Sequence, residues 1–256
     1  MRIIISPAKQ MIQDPDAPRA AALPVFLDQT AILMEWMQGL SYAEQKKLWA
    51  CSDAIAEENH RRLQQMDLRG ASTPALLAFD GIQYQYMAPT IFESRQYDYV
   101  QDHLRILSGF YGVLKPMDGV TPYRLEMQAK AAVNGSRNLY DFWGSRLYQE
   151  VMDDSRVLIN LASKEYSKSV APHLQPGDRM ITCVFGELKD GRVVQKGVYV
   201  KMARGEMVRF LAENQAEDPE ALKAFDLSGY RYDPKRSTET TFVFTRTAIP
   251  GKSGRR

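Results

Sequence analysis

At 256 residues, with 45% hydrophobic and 25% charged side chains, the chain has an ordinary globular composition, which excludes wholesale disorder and allows a large buried core. Lys and Arg number 12 against 15 Asp and Glu over residues 1–128, and 21 against 16 over residues 129–256, for a net charge of +2. This excludes a uniformly polycationic surface but leaves room for a local basic cleft.

Residues 2–5 form a β-branched run stopped by Pro7, which predicts a buried strand and gives no secretory signal pattern. Neither this run nor Val157–Ala162 approaches the roughly 20 apolar residues of a membrane span, so no membrane partner is expected. Pro24 at a first helical position and Gly39 as a stop predict a helix between them. Ser41-Tyr42-Ala43-Glu44 has the spacing of a capping box and opens the next helix, with a further one over about Asp53–Met66. Thr73-Pro74 predicts another helix start. Cys51 and Cys183 are too few and too far apart for a disulfide scaffold; each reads as a small buried residue in a reducing cytoplasm.

Val100, Leu104 and Leu107 fall on one helical face over Tyr97–Leu107, and a helix is expected over Leu139–Met152. Val157–Leu161 reads as a strand buried on both faces, with Ser163 capping a short helix after it. Asp190-Gly191 is a type I′ turn signal and predicts a hairpin of Met180–Leu188 with Arg192–Val200. A helix over Ala203–Asn214, a short helix capped by Asp218, and strands at Tyr230–Tyr232 and Thr240–Thr245 complete the pattern. Strands scattered among helices without regular βαβ spacing predict an α+β fold. It would be one compact domain over residues 1–246, with a mixed, largely antiparallel sheet surrounded by helices. Residues 247–256 read as a basic, disordered tail.

Chemistry concentrates in a few segments. In Arg105–Pro116, Gly109 and Gly112 break an apolar run flanked by Arg105 and Lys115, in the manner of a helix-hairpin-helix-like element. Such a turn offers backbone amides to a phosphate, although a plain turn between core elements uses the same residues, and Phe110-Tyr111 is one residue longer than the usual hairpin. Pro122-Tyr123-Arg124 pairs an aromatic ring with a guanidinium, suited to stacking and phosphate contact, or to an ion pair with Glu126 or Asp118. Lys9, Lys164, Lys168, Lys201 and Arg204 all follow expected strand ends, where α/β sheets gather ligands. There is no P-loop, dinucleotide fingerprint or nucleophile elbow, and His60, His103 and His173 stand apart from any metal-ligand spacing, so neither a cofactor nor a metal is expected.

Ile5-Ser6-Pro7-Ala8-Lys9, Leu107–Leu114 with Pro122–Met127, Asn138–Gly144, Ile159–Val170 and Lys201–Asn214 together resemble the YaaA family of bacterial peroxide-stress proteins over nearly the whole chain. The resemblance implies a cytoplasmic protein induced by hydrogen peroxide that limits oxidative damage to DNA and protein and contributes to iron homeostasis by lowering unincorporated iron. It also implies an unusual topology with a positive cleft that binds duplex and distorted DNA. Two readings follow. In the first, a monomeric, non-enzymatic protein grips the DNA phosphate backbone with little sequence preference, using Lys9, Arg105, Gly109, Gly112, Lys115, Tyr123, Arg124, Lys164, Lys168, Lys201 and Arg204. In the second, an enzyme acts on a nucleotide or other phosphorylated small molecule in the same cleft, with Lys164, Glu165, Tyr166 and Lys168 as catalytic candidates.

Overall fold

Ile3, Ile4 and Ile5 are wholly buried, so both faces of this run must be covered and both its edges paired. The computed structural model describes residues 1–70 and 73–247. It places eight strands in one sheet: β1 (Arg2–Ile5), β2 (Leu104–Ser108), β3 (Gly112–Leu114), β4 (Val157–Leu161), β5 (Arg179–Lys189), β6 (Arg192–Val194), β7 (Arg231–Tyr232) and β8 (Thr241–Thr247). The order is β7-β8-β5-β4-β1-β2-β3, with β6 paired to β5. β1 therefore sits between β2 and β4, with Ile4 opposite Arg105 on one side and Asn160 on the other.

The sheet is mixed, as expected, but its centre is not antiparallel. From β2 through β1, β4 and β5 to β8 every neighbouring pair is parallel. Antiparallel pairing is confined to β2–β3, β5–β6 and β7–β8. Parallel neighbours need long crossovers that carry helices, and the stretch from Ile5 to Leu104 is one such crossover. Its many short helices disguise the βαβ rhythm.

Besides a single turn at Ala75–Ala78, where Thr73-Pro74 predicts a start, the α-helices among the described residues are α1 (Leu27–Gln38), α2 (Tyr42–Trp49), α3 (Asp53–Gln64), α4 (Ile82–Met87), α5 (Ser94–His103), α6 (Leu139–Trp143), α7 (Arg146–Val151), α8 (Lys164–Ser167) and α9 (Gly197–Glu213). The Ser41 capping box forms, with the Ser41 side chain on the Glu44 N–H and the Glu44 carboxylate on the Ser41 N–H at 2.8 Å. The helix expected over Leu139–Met152 breaks at Gly144, whose φ of 53° separates α6 from α7. Asp190 and Gly191, at φ 50° and 75°, make the expected turn between β5 and β6. One continuous apolar cluster runs from Met1 to Phe244. Apart from Thr247, which closes β8, the basic tail expected over 247–256 lies outside the described residues.

The helix-hairpin-helix-like element expected at Arg105–Lys115 is a β-hairpin. α5 ends at His103, and all five residues of β2 are buried, so the apolar residues taken for a helical face fill a two-sided strand. A Cβ on Gly109 would lie 2.6 Å from the Leu125 carbonyl oxygen, and one on Gly112 would meet the Trp143 and Phe26 rings below 3 Å. These glycines permit close packing against the core. They do not present amides to a ligand.

Beyond this hairpin, buried Asp118 accepts the Lys115 backbone N–H at 2.8 Å. Burial raises its pKa from 3.8 to about 6, against the opposing pull of that hydrogen bond and of Lys115 and Arg105. A carboxyl whose folded pKa exceeds its unfolded one favours folding while protonated. This contribution, about 3 kcal/mol, is fully present below about pH 4 and lost as pH rises through about 6. The stability of the wild type relative to Asp118→Asn is therefore expected to fall between about pH 4 and 7 in denaturant titrations. A difference independent of pH would show that Asp118 ionises as it does in water.

Candidate functional site

Chain order determines where a ligand can enter this sheet. From β1 the chain departs to β2 on one side, whereas from β4 it departs to β5 on the other. The crevice beyond the C-terminal ends of β1 and β4 is the switch point at which open α/β sheets bind their ligands. Ser6–Lys9 leave β1 there and Ser163–Tyr166 follow β4; the Ser163 N–H donates to Ser6 Oγ at 2.8 Å and ties the two strand ends together. These segments form one side of a cavity of about 450 Å³.

Three other segments enclose it. A two-residue ladder of Gln10–Met11 with Phe79–Asp80 brings Asp80 to the rim and starts α4 beside it, so that Gln83 and Tyr84 line the wall. The Tyr84 hydroxyl donates to the Ser6 carbonyl at 3.0 Å. Tyr123–Glu126 form a second wall, with the Tyr123 ring stacked on Phe110 at 4.9 Å and its hydroxyl 2.6 Å from Ser108 Oγ. The third wall is α9, where Lys201 and Arg204 are three residues apart and share one face. They lie inside this helix, not at a strand-to-helix turn, because α9 begins at Gly197, six residues before the expected start. At Gly205, α9 meets α4 so closely that a Cβ would sit 2.1 Å from the Gln83 carbonyl oxygen.

The charges are unevenly matched. Glu126 pairs with Lys9 at 2.9 Å and with Arg124 at 3.5 Å. Arg204 is mostly buried, its Nε has no hydrogen-bond partner, and burial lowers its pKa. Glu165 is half-buried and accepts the Gln128 N–H at 3.2 Å; burial holds its carboxyl above the usual range. Cys183 is buried too, with its thiol pushed up to about 12, the opposite of what a reactive thiolate requires.

Of the predicted site residues, Lys9, Tyr123, Arg124, Glu165, Tyr166, Lys201 and Arg204 line this cavity. Arg105 does not. It is 3% exposed, donates to the Leu104 and Gln101 carbonyls at 2.7 and 3.1 Å, and is held down to about 10 by burial. Gly109 and Gly112 are packed in the core, and Lys115 lies outside the cavity beside the turn that Asp118 closes. Lys164 and Lys168 are exposed and also lie outside it. Sequence reasoning missed Ser6, Gln83, Tyr84 and Ser108. The first lies in the quoted Ser6-Pro7-Ala8-Lys9 run, but pairings distant in the chain bring the others together.

A second cavity, about 680 Å³, adjoins the first and shares Lys9, Arg124 and Glu126 with it. Trp36, Lys47, Trp49 and Lys130 line its far side. Trp49 is presented from the end of α2, where its carbonyl accepts Arg124 Nε at 3.4 Å.

The family described as "Peroxide stress protein YaaA" matches residues 1–236. The chain belongs to this YaaA family. A "UPF0246 protein" of Agathobacter rectalis is 54% identical over 246 residues, covering 96% of this chain and 99% of the relative. Relatives given the same description are 53% identical over 246 residues in Desulfitobacterium hafniense (96% and 98% covered) and 51% over 249 in Pediococcus pentosaceus (97% and 99%). The YaaA-family match includes every segment that lines the two cavities. Among the described residues no helix is long and apolar enough to cross a membrane, and no group of three or more His, Cys, Asp or Glu side chains could hold a metal.

Proposed function

We propose that this peroxide-stress protein acts in the cytoplasm by holding DNA through its phosphates, in the cleft made by the two adjoining cavities, without reading bases. The observation that carries the reading is the convergence of Lys9, Arg124, Lys201 and Arg204 from three separate segments on one crevice. Lys47 and Lys130 extend the cationic lining past the shared wall, and the partly buried Trp36 adds indole surface of the kind on which unstacked bases rest. A cleft of this scale favours a distorted or single strand over an intact duplex. Arg105, Gly109, Gly112, Lys115, Lys164 and Lys168 have no part in it. The reading gives iron no direct role.

Four phosphate contacts predict that log K falls with log salt at a slope of about −3.6 on duplex DNA and about −2.8 on a single strand. A titration of labelled strands between about 50 and 200 mM salt measures it. Lys201→Gln is expected to make the slope shallower by about 0.7–0.9. Absence of binding at low salt, or an affinity indifferent to salt, overturns the reading.

One observation favours a second reading, an enzyme acting on a nucleotide or other phosphorylated small molecule. The first cavity has the volume of a small-molecule pocket and places the Glu165 carboxyl beside Tyr166. Of its four candidate catalytic residues, Lys164 and Lys168 lie outside the cavity, so Glu165 and Tyr166 would carry the chemistry. Thermal stabilisation by nucleotides, with turnover of the bound one, tests it.

A further inference from the structure

Hydrogen-bond donors and acceptors in the first cavity are not in balance. Ser108 Oγ accepts the Phe110 and Tyr111 backbone N–H groups at 3.1 and 2.9 Å. With both lone pairs engaged, its own proton can go only to the Tyr123 hydroxyl oxygen at 2.6 Å. Tyr123 is therefore an acceptor in that bond, and its phenolic proton is left for the cavity. Tyr166 is buried as well and lines the same cavity. Gln83 Nε2 and Arg204 Nε are also buried, without a protein partner. All four residues line the cavity, and Lys201 stands beside them.

The acceptors, by contrast, are engaged. Glu126 is held by Lys9 and Arg124, Glu165 by the Gln128 N–H, and Asp80 Oδ1 by Gln85 Nε2 at 3.1 Å. A buried donor without a partner costs about 1–3 kcal/mol, so a wall of them fits a ligand made of acceptor oxygens with negative charge. An internal phosphodiester offers two free oxygens and one charge. A terminal phosphate offers three oxygens and nearly two charges.

We infer that Gln83, Tyr123, Tyr166, Lys201 and Arg204 form a seat for a terminal phosphate monoester, carried by a free nucleotide or by the end of a DNA strand. This rests on the phosphate-binding reading above and deepens it. Tyr123 donates to a phosphate oxygen, and Ser108 is the positioning residue that turns the phenolic proton toward the ligand. Neither residue needs to lose a proton.

The test compares short single strands bearing a 5′-phosphate, a 3′-phosphate or hydroxyls at both ends, with adenosine monophosphate as the free nucleotide. Full-length protein in phosphate-free buffer should bind one phosphorylated strand about tenfold or more tightly than the hydroxyl-ended strand. Tyr123→Phe keeps the ring on Phe110 and should lose most of that preference while retaining affinity for the hydroxyl-ended strand. Ser108→Ala should lose part of it in the same selective way. Equal affinity for all strands overturns the terminal seat and leaves backbone binding standing. Binding of the nucleotide without binding of any strand overturns backbone binding and leaves the seat standing. Failure of both ligands overturns both.

Discussion

Replacing Gly205 with alanine is expected to lower the thermal midpoint by about 6–12 °C. In a free helix the change would be favourable by about 1 kcal/mol. Here the new methyl would lie 2.1 Å from the Gln83 carbonyl oxygen and 2.9 Å from the Met87 amide nitrogen, both backbone atoms of or beside α4. Neither can turn away as a flexible side chain can, so α9 and α4 must separate. Overpacking of this kind costs about 3 kcal/mol or more in a well-packed interior, and a chain of this size loses about 2–4 °C per kcal/mol. The same displacement moves Arg204 away from Gln83, so phosphate binding should weaken even at temperatures where the variant is folded. Differential scanning calorimetry checks the first effect and ligand titration the second. An unchanged midpoint would show that the helices part without cost.

Arg204→Gln should have two effects of opposite sign. A guanidinium does not lose its proton at neutral pH, so its mostly buried and unpartnered Nε makes the empty site costly. Removing the charge is expected to stabilise the ligand-free protein by about 1–2 kcal/mol in phosphate-free buffer. It should also weaken terminal phosphate binding by about 10- to 100-fold, the usual value of a charge-assisted bond. Denaturant unfolding and anisotropy titrations measure the pair. Lower stability in the variant would identify Arg204 as a structural residue and remove it from the seat.

Much of the secondary structure was legible where the signal is local. Ser41 with Glu44, Asp190-Gly191 and Asp218-Pro219 each identified the turn or cap they make. The signal failed at Leu104–Leu107, because residues buried on both faces of a strand show the same unbroken apolarity as a buried helix. It failed again for the sheet centre, since parallel partners lie as far apart as Ile3 and Ile159 and leave no mark in any local window. For the site, the rule that ligands gather at strand ends pointed to Lys9, Glu165 and Tyr166, which line the cavity. It could not separate cations facing the crevice from those facing solvent, because helix register decides this. Lys201 and Arg204 therefore line the cavity while Lys164 and Lys168 do not. Arg105 shows the reverse error: a basic residue beside glycines proved to be a strap on carbonyl oxygens inside the core.

The central position of β1 also sets a timetable for biosynthesis. Its residues are made well before those of its two neighbours, which begin at Leu104 and Val157. At roughly 5–20 residues per second, β4 leaves the ribosome about 8–30 seconds after β1. Throughout that interval Ile3-Ile4-Ile5 has no finished sheet to join and must be kept from other nascent chains. The crevice that gathers Lys9, Arg124, Lys201 and Arg204 is consequently absent until translation has passed Arg204.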